Sequence, residues 1–268
     1  MTDNDLEKNS AYDARFSEAL GGSEYEDLLI AIEYYNEFQA ETGKALQKYI
    51  AEHCQDQDNI KVLEAGPGTG ITTLELLKAD PRVKVTSVDN EPKMLDAVKA
   101  RFAKMESLPE RVEFVLADIL GYLEAQEDGT FDAFASVYTL HNFTPAFRRQ
   151  VIELIAKKLK QGGVFINGDK YAEEGELHQK DYASEIANYG KFDIAADKAE
   201  RAGDTARAAH LRKIKEEWIA HCAEDEKNKI TVEEQNKMFE ELGLGDVEWG
   251  KRFDLVTTVK AIKKGKTE

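Results

Sequence analysis

Two cysteines among 268 residues, Cys54 and Cys222, are too few and too far apart in sequence to frame a disulfide scaffold or a zinc site, and both read as free thiols. An apolar run long enough to cross a membrane is also lacking. The first residues, Met1-Thr2-Asp3-Asn4-Asp5, offer neither the basic start nor the apolar stretch of a secretory signal, so the expected address is the cytoplasm. Positive charge is scarce: 36 Lys and Arg stand against 52 Asp and Glu, a formal net charge of −16 spread along the chain. Long-range attraction to nucleic acid rests on cation–phosphate contacts and is not expected here. The local basic runs, Arg148-Arg149 with Lys157-Lys158-Lys160, and Lys260-Lys263-Lys264-Lys266, read as solvated faces and a soluble tail. Internal repeats and low-complexity segments are absent too. What remains is one large domain, or one domain with an appendage, long enough to bury a full core.

The stretch from Lys61 to Asp89 organises this chain. Val62 and Leu63 carry strand propensity, and Gly66, Gly68 and Gly70 allow a tight turn where a ligand can meet bare backbone. Ile71, Leu74 and Leu77 then recur at helical spacing, so the first N–H groups of that helix point at the loop and form an anion site. A second strand ends in Asp89, about 20 residues on, where an acid can accept bonds from two ribose hydroxyls. Together these features predict a nucleoside cofactor. A dinucleotide fingerprint wants G-x-G-x-x-G, whereas this loop reads G-x-G-x-G and follows an acid, Glu64, which would repel a pyrophosphate. The same carboxylate would attract a ligand carrying an ammonium and a sulfonium.

Glu64-Ala65-Gly66-Pro67-Gly68-Thr69-Gly70 resembles motif I of the class I S-adenosylmethionine (SAM) dependent methyltransferases, E/D-x-G-x-G-x-G. For the loop alone, an unrelated α/β domain is the competing reading. The resemblance implies a three-layer, Rossmann-like α/β fold with a seven-stranded, mostly parallel sheet whose last strand is antiparallel. It implies SAM as cofactor and S-adenosylhomocysteine (SAH) as product. Asp89 would hold the ribose, with Asn90 and Met94 beside the adenosine. Asp118 would accept from the adenine amino group with Ile119 against the ring, or else simply start a turn. Val137 would close the site from the end of the fourth strand.

Ser136 to Phe143 lies at the carboxyl end of that fourth strand and resembles the Leu-His-containing segment of many small-molecule methyltransferases. It lacks the Asn/Asp-Pro-Pro-Tyr/Phe element of enzymes that methylate base or glutamine amino groups, which favours a small-molecule acceptor. His141 is a candidate general base, with a packing or hydrogen-bonding histidine as the alternative. Asp169, after the fifth strand, is a second catalytic candidate. Tyr138 occupies the place where catechol-type enzymes put a metal-binding acid, so no metal is expected.

The domain reading has three parts. Residues 1–57 form an N-terminal helical cover, with Ser23 and Glu26 capping a helix that continues to about Cys54 or breaks near Gly43. Tyr34 and Tyr35 are candidates to touch substrate there, or to pack in a helix seam. Residues 58–171 and 230–268 form the SAM-binding core. Residues 172–229 form a charged helical cap inserted after the fifth strand, suited to dimerisation, with Tyr182, Tyr189 and Trp218 as candidate pocket aromatics. Two other functions stay open. One is carboxy-SAM synthesis for wobble-uridine modification, with Arg201, Arg207 or Arg212 supplying a cation. The other is a SAM-binding partner subunit with no chemistry of its own.

Overall fold

Seven strands, β1 (Ile60–Ala65), β2 (Val83–Asp89), β3 (Val112–Leu116), β4 (Phe131–Val137), β5 (Leu159–Lys170), β6 (Leu244–Trp249) and β7 (Val256–Lys263), build one sheet in the order β3-β2-β1-β4-β5-β7-β6. The structure, a computed structural model, describes residue 27 and residues 29–265 apart from 106–107, 173–175, 226–227 and 254. Pairing is parallel from β3 to β5, and β7 runs antiparallel to both of its neighbours. Nine helices are described: α1 (Tyr35–His53), α2 (Ile71–Ala79), α3 (Pro92–Phe102), α4 (Ile119–Glu124), α5 (Pro145–Lys158), α6 (Glu176–Tyr189), α7 (Lys191–Arg201), α8 (Thr205–Asp225) and α9 (Val232–Glu241).

The period-2 geometry of a strand places neighbouring apolar residues in different cores. Val62, Ala133, Ala135, Val164 and Ile166 pack with α1, α2 and α3 on one face. Leu63, Phe134 and Phe165 pack with α4, α5 and α9 on the other. Phe134 stacks on Phe165, which in turn meets Phe239 edge-on at 5.2 Å between centroids. All seven residues of β4 are buried, as a central strand covered on both faces requires. The helices α6 to α8 enclose a smaller core of their own around Phe192, Leu211 and Ile214, which Ala31 joins from the segment before α1.

Several local expectations change. The N-terminal helix begins at Tyr35, after Tyr34 in the left-handed region (φ 58°), and runs through Gly43 unbroken. A Cβ at Gly43 would lie 2.8 Å from the Glu75 carbonyl oxygen, so this glycine permits close approach of α1 to α2. The capping expectation at Ser23 and Glu26 lies outside the described residues. Glu91 caps α3, its side chain accepting from the Lys93 N–H, with Pro92 as the first residue of the helix. Gly162 and Gly163 sit inside β5 at a register shift against β4. The basic run at 148–160 is only partly solvated. Arg148 is buried and donates to the carbonyls of Leu140, Phe143 and Asn228, and Lys158 donates to Gln126 O and Asp128. A capping box opens α9, with Thr231 and Glu234 bonding reciprocally. Among the described residues no helix is long and apolar enough to cross a membrane, and both cysteines are free and buried.

Candidate active site

The chain leaves β1 toward β2 and β3, then returns to β4 on the other side of β1. At such a reversal two loops diverge from adjacent strand ends and open a crevice. Gly66 takes φ +69°, and a Cβ there would meet Thr139 Oγ1 at 2.3 Å. Gly70 takes φ +82° and abuts Val98 and Phe102, which holds the start of α2 close to α3. Arg101 donates to Thr69 O and fixes the loop from outside.

The resulting cavity encloses about 890 Å³, open mouth included, and collects residues from four strand ends. Gly66 and Gly68 line it after β1, Asp89, Asn90, Glu91 and Met94 after β2, Asp118 and Ile119 after β3, and Val137, Tyr138 and Thr139 after β4. Asp89 Oδ1 accepts from the Glu91 N–H, and Asp118 Oδ1 caps α4 through Gly121 N–H, so the turn-forming role of Asp118 is present alongside its place in the wall. Among the described residues, three carboxylates and no Lys, Arg or His line this cavity. A pyrophosphate would be repelled there, while a nucleoside carrying positive charge meets compatible walls. The donor set therefore fits SAM.

Pro67, Thr69 and Gly70 do not line the cavity; they shape the turn beneath it, where Gly70 N–H bonds to Pro67 O. Glu64 is also displaced from its expected place beside the ligand. Thr73 from α2 and Ser87 from β2 both donate to its Oε2, at 2.7 and 2.5 Å, and draw the carboxyl under the loop. Its Oε1 and the Thr69 hydroxyl are buried without a hydrogen-bond partner. Burial, only partly offset by these two hydroxyls, raises the Glu64 pKa from 4.5 to about 7.

This carboxyl makes a measurable prediction. The native group keeps its proton between about pH 4.5 and 7 where the unfolded one has lost it, so its contribution to stability falls as pH rises through that window. The loss is at most about 3 kcal/mol. His141 works in the opposite sense below 6.5, because burial disfavours the protonation that the unfolded chain undergoes. Comparing wild type with Glu64→Gln by denaturant titration isolates the carboxyl. The variant is expected to gain relative stability from pH 4.5 to 8, and a pH-independent difference would show that Glu64 ionises normally.

A second cavity of about 770 Å³ adjoins the first and shares Tyr138 and Asn142 with it. Its apolar wall combines Ala31 and Ile32 before α1, Tyr189 and Trp218 from the insert, and Phe253, Leu255 and Val256 near β7. His141, Lys170 and Glu185 supply its polar groups with Glu33 and Asn188. Tyr138, at φ 54°, marks the sharp turn out of β4 that brings His141 round to this wall.

His141 and Asp169 form a buried pair. Asp169 accepts from the His141 backbone N–H at 2.9 Å and from the Lys170 N–H, and its Oδ1 lies 2.5 Å from His141 Nδ1. Burial depresses the His141 pKa more than Asp169 raises it, so the ring is neutral near pH 7. Burial opposes ionisation of Asp169, yet His141, Arg148 and the Lys170 N–H bring its pKa below the usual carboxylate range. An ionised acceptor beside a neutral ring assigns the proton to Nδ1, which leaves Nε2 as the basic nitrogen.

Two expected substrate residues stand apart. Tyr34 is 49% exposed with its ring against Phe253, and Tyr182 is 37% exposed; neither lines either of these two cavities. Tyr35 is buried and stacks on Tyr138 behind the wall. Arg207 pairs with Asp27, Arg212 with Asp197 and Glu200, and Arg201 is exposed, so none of the three arginines lines a cavity. Sequence reading overlooked Asn142, Phe143, Lys170, Glu185 and Leu255. The first two follow His141 directly and were within reach of the same strand-end argument, whereas Glu185 and Leu255 arrive from distant helices and turns.

Residues 62–163 match the family model described as a methyltransferase domain. The chain is 29% identical over 147 residues to a carboxy-S-adenosyl-L-methionine synthase of Nautilia profundicola, covering 52% of this chain and 58% of that protein. It is 28% identical over 172 residues to the synthase of the same name from Campylobacter fetus, covering 62% and 68%. Among solved structures, the CurJ carbon methyltransferase superposes with a TM-score of 0.57 at 15% identity, covering 85% of this chain and 54% of the other, a likeness of fold.

Proposed function

We propose that this protein, whose residues 62–163 match a methyltransferase domain, uses SAM to methylate a small molecule at a site whose proton must be removed. The observation that carries this reading is the buried His141–Asp169 pair on the wall of a cavity adjoining an acid-lined nucleoside site. Bound SAM supplies a methyl carbon made electrophilic by its sulfonium.

The chain's residues do the rest. Asp89 and Asp118 would hold the nucleoside, with Ile119 and Met94 as apolar walls and the bare backbone of Gly66 and Gly68 allowing close approach. Asp169 fixes the imidazole through Nδ1 and balances the charge that the ring gains on taking a proton at Nε2. Tyr138 and Asn142 stand on both walls and align an acceptor in the second cavity with the first. The apolar residues of α8 and the β7 approach exclude water from that cavity. A SAM-binding subunit without chemistry has no need of a polarised histidine in its wall.

Asp89→Ala is expected to weaken SAM binding by about 1–3 kcal/mol, the usual worth of charged hydrogen bonds. Isothermal titration checks this, and unchanged affinity removes Asp89 from the site. The reaction itself is tested by transfer of labelled methyl from SAM to phenolic and enolic acceptors. Label transfer that survives loss of His141 would contradict the base assignment.

The named relatives favour a second reading, formation of carboxy-SAM. Arg207 and Arg212 are paired with acids and Arg201 is exposed, and none of them lines the second cavity, which leaves Lys170 as the cation in that wall among the described residues. Mass spectrometry of the nucleoside released from protein purified from cells separates the two. SAM or SAH supports methyl transfer, and a carboxylated form supports the second reading.

A further inference from the structure

The second cavity has one cationic side chain in its wall among the described residues, Lys170 at the end of β5. We propose that Lys170 is the specificity residue of the acceptor site and that the acceptor is a small aromatic hydroxy acid, its carboxylate received by Lys170 and its hydroxyl presented to His141. This inference rests on the methyl-transfer reading of the same site.

Lys170 reaches across to Glu185 of α6, and its side chain is 13% exposed. Glu185 is shared: Lys229 lies 3.1 Å from its Oε2, and the Tyr189 hydroxyl donates to its Oε1 at 3.3 Å. A carboxylate held by two ammonium groups and a phenol can release one of them and stay paired. Lys170 is therefore an exchangeable cation, able to turn from Glu185 to an incoming anion without stranding a buried charge. A cationic ligand finds no such vacancy, since Glu185 is already doubly paired. Glu33, the other acid of this wall, sits half exposed and paired with Lys191.

Shape and spacing narrow the ligand further. Lys170 directly follows Asp169, the residue that fixes His141, so the anion site and the base are set by adjacent residues of one strand. The acceptor's carboxylate and hydroxyl must then be carried on one compact frame. Tyr138, Tyr189, Trp218 and Phe253 put four aromatic rings around that frame, which suits a flat ring.

Isothermal titration of the full chain tests this, with 4-hydroxybenzoate and 4-hydroxyphenylacetate as probes beside their neutral amides, each with and without saturating SAH. The acids are expected to bind about 10-fold or more tighter than the amides, as a charge-assisted hydrogen bond in a buried site gives. Lys170→Met should reduce that preference to about 2-fold or less, and Lys170→Arg should keep it, while SAH affinity stays at the wild-type value in both. Equal binding of acids and amides, no binding of either, or a preference that survives Lys170→Met overturns the proposal. The SAH titration reads the cofactor site separately. Loss of SAH binding with the acid preference intact would overturn the methyl-transfer reading and leave the anion site standing.

Discussion

Replacing His141 with Gln is expected to lower kcat by about 10²–10⁴-fold, the range for loss of a positioned general base, with SAH affinity unchanged. The expectation follows from three features of one site. The ring is buried, it is neutral near pH 7 because burial outweighs Asp169, and its Nδ1 is committed to that carboxylate, which leaves Nε2 as the proton acceptor. The depressed pKa also sets the pH profile: kcat should be flat at pH 7 and above and fall only as pH drops below the ordinary 6.5, where the ring takes a proton. Asp169→Asn should shift that limb further down, because it removes the group that raises the histidine. An amide also gives the ring a different partner and frees its tautomer. A kcat that survives in His141→Gln, or a variant whose only defect is weaker SAH binding, would return His141 to a packing role.

The second large effect concerns stability. Glu185→Ala is expected to cost about 3–5 kcal/mol, because it leaves Lys170 and Lys229 near each other without the carboxylate that neutralises them. Burial opposes the ionisation of Glu185, but the two lysines overcome it and bring its pKa to about 2. A depressed folded pKa contributes stability that is present above 4.5 and lost as pH falls toward 2, so wild type and Glu185→Ala should converge in acid. Lys170→Met alone should be mild, since Lys229 still pairs with Glu185. Chemical denaturation at pH 7 and pH 3 reads all three. Equal stability of wild type and Glu185→Ala at pH 7 would mean that the cluster contributes nothing net.

Much of the frame was readable because its signals are local. The glycine loop and the strand propensity of Val62 and Leu63 each depend on a few neighbouring residues, and the turn and strand β1 appear as expected. Asp89, Met94, Asp118 and Ile119 reach one cavity because strand ends in a parallel sheet converge, a rule that needs only strand order. What failed depended on the third dimension. At Gly43 the sequence left a continuous and a broken helix both open, and contact with α2 in space goes with the continuous one. Glu64 looked available to a ligand until Thr73 and Ser87, 9 and 23 residues away, claimed it. The acceptor wall joins residues before α1, the insert and the approach to β7, whose meeting no spacing encodes. Tyr34 was a candidate as part of an N-terminal cover and Tyr182 as an aromatic of the helical cap, and both stand exposed outside the two cavities.

The cavity built on Gly66, Asp89 and Asp118 is expected to take SAM. Isothermal titration of the purified chain with SAM, SAH and NAD at one salt concentration tests it most directly. Micromolar binding of SAM and SAH with none of NAD is the expected result, because among the described residues three carboxylates and no cation line the cavity. Binding of NAD alone would contradict it and assign the cavity to a dinucleotide.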